Sequence, residues 1–214
     1  MLKGYVGLKL ILIRHGESEG NASGVAQGHL DFGLTTLGRA QAEATAAYLA
    51  ATKADRLVSS PLRRAFATAS LIAGSLGLQV ESDSRLMEYD IGAASGLTGP
   101  QIRERFPDVV AQWQKGLHPR FPGEEGRDVF SARIATLLEE LVVEGKDVVA
   151  VAHGGVVGAF CRLMLGMDPL RRGVFETANC GITEIAIDRQ GRRVLQRVND
   201  TCHLGSLMTM ADRG

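Results

Sequence analysis

Short runs rich in aliphatic side chains recur along this chain, separated by amphipathic and glycine-containing stretches. The clearest runs cover residues 8–13, 56–59 and 147–152. Such runs are typical of strands that are covered on both faces, as in the parallel sheet of an α/β protein. The pattern therefore predicts an α/β fold with a mostly parallel central sheet.

Helices are predicted between these runs in the first part of the chain. An alanine-rich helix begins at Thr35 or Thr36 and continues to about Thr52. Ser60 followed by Pro61 is typical of an N-cap and a first helical position, so a second helix is expected to begin there. The segment between the first strand and the first helix, residues 14–34, contains five glycines and is predicted to be a long functional loop.

The second part of the chain continues the alternation. A strand is predicted over residues 78–82, an irregular glycine-containing segment over 86–99, helices over 101–105, 108–115, 127–144 and 156–165, and a closing hairpin over 182–188 and 193–198. The 127–144 helix is expected to bury Val129, Ile134, Leu137, Leu138 and Leu141 on one side.

The composition excludes several classes of function. The 214 residues contain 24 lysine plus arginine and 24 aspartate plus glutamate side chains, so the formal net charge is zero. A general nucleic-acid binder needs a basic surface, and no such partner is expected here. With 45% hydrophobic and 22% charged residues, the chain is predicted to form one globular domain over residues 1–214.

The cysteines and the first residues indicate a reducing compartment. Cys161, Cys180 and Cys202 are too few and too irregularly spaced for a disulfide framework. Lysines interrupt the apolar start of the chain and no small-residue cleavage site follows it, so neither a signal peptide nor a membrane span is expected. We therefore expect a cytoplasmic protein without a membrane partner.

Two of the predicted strands end in a histidine followed by glycine. The first run ends in Arg14-His15-Gly16, and a later run ends in His153-Gly154. Ligands of open α/β sheets gather at the carboxyl ends of the strands, so the two histidines are expected to share one crevice. A fixed cation beside a nucleophilic imidazole suits an anion, and phosphate is the anion that such a site most often binds.

Several short motifs follow one another between residues 12 and 183. They are LIRHGES at 12–18, QG at 27–28, DFGLTTLG at 31–38, SSPLRRA at 59–65, LME at 86–88, GLT at 96–98, VAHGG at 151–155 and NCGIT at 179–183. This set, in this order, resembles the histidine phosphatase superfamily, the phosphoglycerate mutase-like proteins. The resemblance implies a three-layer α/β/α sandwich with helices on both faces of the sheet.

The resemblance also implies roles for particular residues. His15 is expected to attack phosphorus and to carry the phosphoryl group. Glu88 is expected to protonate the leaving oxygen and then to activate water. The groups that hold the phosphoryl oxygens are Arg14, Arg64, His153 and Asn21. The substrate contacts are Asn21, Ser18, Gln27, Gly28 and Gly154.

These residue types suit phosphoryl transfer without a metal. Imidazole is a nucleophile that also leaves readily, and two arginines with a second histidine supply fixed donors for the equatorial oxygens. No histidine pair stands at a metal-binding spacing. We therefore expect a metal-independent phosphomonoesterase that hydrolyses a small phosphorylated metabolite without a cofactor.

Two alternatives stay open at this point. By the same resemblance, cofactor-dependent phosphoglycerate mutases carry a longer segment between the acid loop and the second histidine. Here 65 positions separate Glu88 from His153, which favours hydrolysis. A non-catalytic binding module of this fold usually lacks a residue of the site, and none is missing here. A homodimer is left open as the state of assembly.

One segment departs from the pattern of the superfamily. Residues 121–126 read FPGEEG, and Glu124 adds a negative charge where the tail of an anionic substrate would approach. Tyr89 is expected to line the pocket or to pack beneath it, and Asn179 to tie loops together. No catalytic role follows for His29, His118 or His203.

Overall fold

The computed structural model describes residues 7–117, 119–168 and 174–208. The strands in these ranges are β1 (Leu8–Arg14), β2 (Arg56–Ser59), β3 (Val80–Ser82), β4 (Val148–Ala152), β5 (Ile182–Ile187) and β6 (Arg193–Asp200). The α-helices are α1 (Glu19–Ala22), α2 (Thr36–Leu49), α3 (Arg63–Leu76), α4 (Gly99–Arg105), α5 (Pro107–Gln114), α6 (Arg127–Glu144) and α7 (Gly154–Met164). Single 3₁₀ turns cover Ser84–Leu86, Gly92–Ala94 and Gly205–Leu207. None of the described helices is long and apolar enough to cross a bilayer.

The strands form one sheet in the order β3-β2-β4-β1-β5-β6. The first four strands in this order are parallel neighbours, whereas β5 runs antiparallel to β1 and β6 runs antiparallel to β5. Residues 10–14 of β1 pair in register with residues 148–152 of β4, so these two strands end at the same edge. The predicted mostly parallel sheet with a closing hairpin is confirmed.

Alternate side chains of β1 face opposite helical layers. Leu10 and Leu12 pack in one core with residues of α6 and α7, whereas Ile11 and Ile13 pack in a second core with residues of α2 and α3. The buried residues of β4 divide between the two cores in the same way. Because side chains alternate along a strand, both faces of the sheet are covered, and the three-layer α/β/α sandwich is confirmed.

The start of α3 differs from the prediction. The expected N-cap was Ser60 before Pro61, but the helix begins at Arg63 with Leu62 as its N-cap, and no side chain caps it. The Ser60 hydroxyl accepts a hydrogen bond from the Leu62 N–H at 3.3 Å and lies 2.8 Å from Nε2 of His153. A tertiary contact therefore replaces the local cap that the sequence pattern indicated.

Two other boundaries bear on the site. The loop predicted over residues 14–34 contains α1, which follows a capping box formed by Ser18 and Asn21. Helix α7 begins at Gly154 rather than at residue 156, so both glycines after His153 lie in its first turn. The N–H groups of that turn have no acceptor within the helix and can bind other groups.

The buried face of α6 also differs at its first residues. Val129 is 58% exposed, whereas Phe130 is fully buried beside Ile134. Residue 130 lies four positions before Ile134 and therefore on the same face of a helix with 3.6 residues per turn. The other residues expected on this face are buried as predicted, namely Ile134, Leu137, Leu138 and Leu141.

Candidate active site

The carboxyl ends of β1 and β4 bring the two predicted histidines side by side. Arg14 of β1 and Ala152 of β4 are register partners. His15 and His153 directly follow them at the ends of these two strands. The centroids of the two imidazole rings lie 5.2 Å apart, with 63° between the ring planes. Both histidines are buried. The two histidines are therefore adjacent, as expected, although His15 lines the cleft and His153 does not.

The backbone sets the tautomer of His15. Its Nδ1 lies 2.7 Å from the carbonyl oxygen of Gly16, which can only accept a hydrogen bond, so Nδ1 carries the hydrogen. Burial, together with the charges of Arg14 and Arg64, holds the pKa of His15 well below its ordinary value of 6.5. His15 is therefore neutral near neutral pH, and Nε2 keeps a lone pair for attack on phosphorus.

Close contacts hold the loop that carries His15. A side chain at Gly16 would overlap the carbonyl group of Gly38 in the first turn of α2. The N–H of Gly16 donates to Oγ1 of Thr68 in α3 at 3.1 Å. The Asn179 amide donates to the carbonyl oxygen of His15 at 2.9 Å, which confirms that Asn179 ties loops together. The nucleophile is thus fixed from three parts of the fold.

Arg64 is a buried guanidinium group that backbone carbonyls orient. Its two terminal nitrogens donate to the carbonyl oxygens of Leu30 at 2.7 Å and Gly28 at 2.9 Å. Its Nε has no hydrogen-bond partner among the described residues. Arg14 lines the same cleft, and its Nη1 donates to the carbonyl oxygen of Thr177. Two cations therefore stand at fixed positions in one cleft.

Ser60 orients the imidazole of His153. The Ser60 hydroxyl accepts a hydrogen bond from the Leu62 N–H and also lies 2.8 Å from Nε2 of His153, so it fixes the orientation of the ring. Nδ1 of His153 is buried and has no hydrogen-bond partner among the described residues. Burial is the main cause that holds the pKa of His153 well below 6.5; a proton on the adjacent His15 would lower it further, as does the charge of Arg64. A buried polar atom without a partner in the protein is suited to bind a ligand.

Two backbone N–H groups hold the carboxyl group of Glu88. Oε2 accepts from the N–H of Gly155 in the first turn of α7 at 3.0 Å, and Oε1 accepts from the N–H of Tyr89 at 2.9 Å. A Cβ at Gly155 would overlap Oε1 of Glu88, so any larger residue at this position would displace the Glu88 carboxyl group from its present place. The carboxyl group lines the cleft that also holds His15, as a proton donor for the leaving oxygen must.

Arg133 on α6 anchors the loop that carries Glu88. Its guanidinium group donates to the carbonyl oxygens of Arg85 at 2.6 Å, Met87 at 2.7 Å and Glu88 at 3.0 Å. The same group pairs with the Glu125 carboxylate at 2.8 Å. Helix α6 therefore fixes the backbone from which Glu88 projects.

The cleft has a volume of about 210 Å³ and is built from distant parts of the chain. Its lining residues are Arg14, His15, Asn21, Val25, Gln27, Gly28, Arg64, Glu88 and Gly154. All of them except Val25 were predicted from the sequence. Their place in one cleft is confirmed, and their catalytic and substrate-binding roles stay predictions.

Ser18 lies behind the wall of the cleft and is fully buried. Its hydroxyl lies 2.9 Å from Oδ1 of Asn21 and 2.8 Å from Oε1 of Gln27, two side chains that line the cleft. Ser18 does not line the cleft, and its expected contact with substrate stays a prediction. In the structure, Ser18 orients two side chains that do line the cleft.

A comparison with known protein families identifies the chain. The model of the histidine phosphatase superfamily (branch 1) matches residues 10–201, a range that includes every residue of the cleft. The chain belongs to this superfamily. The resemblance that the motifs carried is thereby confirmed.

Relatives in the superfamily are named as phosphatases. Phosphoserine phosphatase 1 of Hydrogenobacter thermophilus is 34% identical over 209 residues, 96% of this chain and 99% of that protein. The structure of a mycobacterial glucosyl-3-phosphoglycerate phosphatase complexed with VO3 gives a TM-score of 0.81 at 31% identity, covering 90% of this chain and 99% of the other. Phosphoserine phosphatase of Entamoeba histolytica in complex with 3-phosphoglyceric acid gives 0.81 at 33% identity, covering 92% and 99%. The predicted fold and the class of phosphoric monoester hydrolase are confirmed.

Three residues that shape this phosphatase site were not predicted, namely His29, Ser60 and Arg133. The Nε2 of His29 donates to the carbonyl oxygen of Glu88 at 2.8 Å, the same oxygen that Arg133 reaches. Arg133 directly precedes Ile134 and lies at the edge of the apolar face of α6. This position beside the buried face is the sequence feature that could have indicated a role for Arg133. Ser60 lies in the SSPLRRA motif but was expected only as a helix cap, and no local pattern distinguishes His29.

The remaining expectations concern metal binding and single residues. Within the described ranges, no group of three or more histidine, cysteine, aspartate or glutamate side chains is placed to hold a metal ion. Cys161 is fully buried in the core, as expected for a small apolar side chain. The position of His118 lies outside the described residues.

Proposed function

We propose that the chain hydrolyses a small phosphorylated metabolite through a phosphohistidine on His15. The observation that carries the proposal is that His15, whose ring the carbonyl oxygen of Gly16 orients, lies in one cleft with Arg14, Arg64 and Glu88. A nucleophile, two anion-binding cations and a proton donor are the parts that this reaction needs.

In the first step, Nε2 of His15 attacks phosphorus while the ester P–O bond breaks. Arg14, Arg64 and the imidazole of His153 stabilise the charge on the equatorial oxygens of the phosphoryl group. The departing oxygen takes a proton from the carboxyl group of Glu88. The products are an alcohol and phosphorylated His15.

In the second step, Glu88 is a carboxylate and accepts a proton from a water molecule whose oxygen attacks phosphorus. The N–P bond breaks, inorganic phosphate is released, and Nε2 of His15 recovers its lone pair. The hydrogen bond from Nδ1 to Gly16 orients the ring throughout. This cycle uses neither a metal nor a cofactor, because the arginines supply the positive charge.

Hydrolysis is favoured over transfer of the phosphoryl group to a second substrate. Only 65 positions separate Glu88 from His153, and both Arg14 and Glu88 are partly exposed, so water has access to the phosphorylated histidine. Phosphoglycerate mutase activity is the alternative, and 3-phosphoglycerate distinguishes the two. A mutase isomerises this compound, whereas a phosphatase releases phosphate from it.

We also propose that the enzyme works in the cytoplasm. Cys161 and Cys180 are buried and neither is in a disulfide, which fits a reducing compartment. Neither residue lines the cleft, so their reduced state serves the fold rather than the reaction.

Release of inorganic phosphate by the purified chain tests the proposed function. The substrates are p-nitrophenyl phosphate and the two that the names of relatives suggest, phosphoserine and glucosyl-3-phosphoglycerate. We expect turnover that persists in a metal chelator. His15→Asn should lower kcat by about 10³-fold or more, because it removes the nucleophile.

His203→Asn is the matched control, because His203 is partly buried between Tyr48 and Thr45 and does not line the cleft. Its kcat should stay within about threefold of the wild-type value. Wild-type activity in His15→Asn contradicts the assigned nucleophile. Complete loss of turnover in the chelator contradicts metal independence.

A further inference from the structure

A second cavity opens beside the phosphate cleft. Its volume is about 310 Å³, which is at the lower end of the range for small-molecule sites, roughly 300–1,000 Å³. Aromatic and aliphatic side chains form most of its wall, among them Ile91, Ile102, Trp113 and Phe121. None of the proposed chemical steps uses these side chains.

The cavity and the cleft share a boundary. Tyr89 lines the cavity, and Glu88, the preceding residue, lines the cleft. Ile91 in the cavity wall packs so closely on Gly28 in the cleft that a Cβ on Gly28 would lie 2.9 Å from Cγ1 of Ile91. An ester oxygen that takes a proton from Glu88 therefore has its alcohol group next to the apolar cavity.

The aromatic part of the wall is well ordered by its own contacts. Phe121 packs edge-on against Trp113, with ring centroids 4.8 Å apart, and against Phe106, with centroids 5.1 Å apart. The indole N–H of Trp113 donates to the carbonyl oxygen of Pro119 at 3.3 Å. These contacts fix the rings before a ligand binds, so little conformational freedom is lost on binding.

Polar groups of the cavity wall form hydrogen bonds or ion pairs with other residues of the protein. The Tyr89 hydroxyl donates to Glu124 at 2.5 Å, and the Phe121 N–H donates to the other Glu124 oxygen at 2.9 Å. Arg127 pairs with Asp168 at 2.6 Å. The negative charge of Glu124 disfavours an anionic substituent, and an uncharged apolar group loses no hydrogen bonds on entering the cavity.

We propose that this cavity binds the alcohol part of the substrate and selects phosphate monoesters of uncharged alkyl or aryl alcohols. The proposal rests on the proposed phosphatase function and deepens it by naming the class of leaving group. Each methylene buried in the cavity should raise kcat/KM by about fourfold, which follows from the free energy of burying one methylene. The gain ends when the cavity is full.

Ethyl, butyl and hexyl phosphate test this selectivity, because their leaving alcohols are almost equally acidic and differ mainly in apolar length. In the wild-type chain, kcat/KM should rise along the series. Trp113→Ala should flatten the rise, because it removes the largest apolar wall residue. Val143→Ala is the control, since Val143 is 86% exposed on α6 and lies outside the cavity, and it should keep the wild-type slope.

The possible outcomes distinguish a failure of the proposed apolar subsite from a failure of the proposed phosphatase function. A kcat/KM that does not change with chain length, while every ester still releases phosphate, overturns the apolar subsite and leaves the phosphatase function standing. A higher kcat/KM for phosphoserine than for hexyl phosphate also overturns the subsite. Absence of phosphate release from every ester overturns the proposed function itself.

Discussion

Arg64 combines burial with a charge that forms no direct ion pair among the described residues, although Glu88 and Asp31 lie near enough to attract it. The residue is 1% exposed, and within the described part of the chain no carboxylate oxygen lies within ion-pair distance of it. Burial of a charge without a direct ion pair is costly, so an anionic ligand stabilises this arrangement. Arg63, the preceding residue in the same motif, is exposed. The two arginines therefore differ in role although they are adjacent.

Substitution of these two arginines measures the difference. Arg64→Ala should lower kcat/KM by about 10²-fold or more, the usual effect of removing one donor from a charged transition state. Arg64→Lys keeps the charge but loses the paired hydrogen bonds, so its kcat/KM should lie between those of Arg64→Ala and the wild type. Arg63→Ala is the matched control and should stay within about threefold. Equal effects of Arg63→Ala and Arg64→Ala on phosphate release contradict the assignment.

Helices α6 and α7 both hold Glu88 in place, and each of these contacts involves a backbone group. The first turn of α7 supplies the N–H of Gly155 to the carboxylate, and α6 supplies Arg133 to the carbonyl oxygens of the acid loop. The positions of α6 and α7 in the sequence could be predicted, because the alternation of strands and helices is visible in the local periodicity of apolar residues. The contact between Arg133 and the loop spans 45 or more positions in sequence and has no local signal.

Arg133→Met tests whether the acid loop needs this anchor for proton donation. The variant keeps an apolar stem but loses the donors to three carbonyl oxygens, so kcat should fall more than KM changes. Alkyl phosphates should lose about tenfold or more, whereas p-nitrophenyl phosphate should lose less, because its leaving group needs little protonation. Arg39→Met, at an exposed position of α2, is the control. The same loss of kcat with both esters contradicts a role in positioning Glu88.

The loop over residues 14–34 contains some features that the sequence predicts and others that local sequence patterns do not predict. The strand end at His15 follows from the aliphatic run before it, and the motif residues of the loop were found through their resemblance to a known family. Helix α1 has only four residues and little apolar character, so it was not predicted. The Ser60 hydroxyl contacts His153, 93 residues away, and a sequence window cannot distinguish this contact from a helix cap.

The whole molecule buries two neutral histidines between its parallel strands and the helices that follow. Burial holds the pKa values of His15 and His153 well below the ordinary 6.5. In the unfolded chain both imidazoles bind a proton as the pH falls below about 6.5, whereas in the folded chain they do not. The unfolded state then binds more protons, so the free energy of unfolding decreases as the pH falls.

Urea unfolding between about pH 7 and pH 5 measures this dependence. Each histidine should contribute a decrease of up to about 1.4 kcal/mol per pH unit once the pH is below the unfolded pKa. His153→Asn cannot bind the proton in either state, so its free energy of unfolding should depend less on pH than that of the wild type. An identical pH dependence in the two proteins contradicts the buried neutral histidine.

The fold as a whole brings the proposed nucleophile His15 and the proposed proton donor Glu88 from distant segments into one cleft. The most direct test traps the enzyme during turnover of p-nitrophenyl phosphate by rapid quenching in base, in which phosphohistidine persists, and locates the phosphoryl group by peptide mass spectrometry. We predict phosphorylation of His15 in the wild type and none in His15→Asn. Turnover without any phosphorylated protein, or a phosphoryl group on His153 instead, contradicts the mechanism.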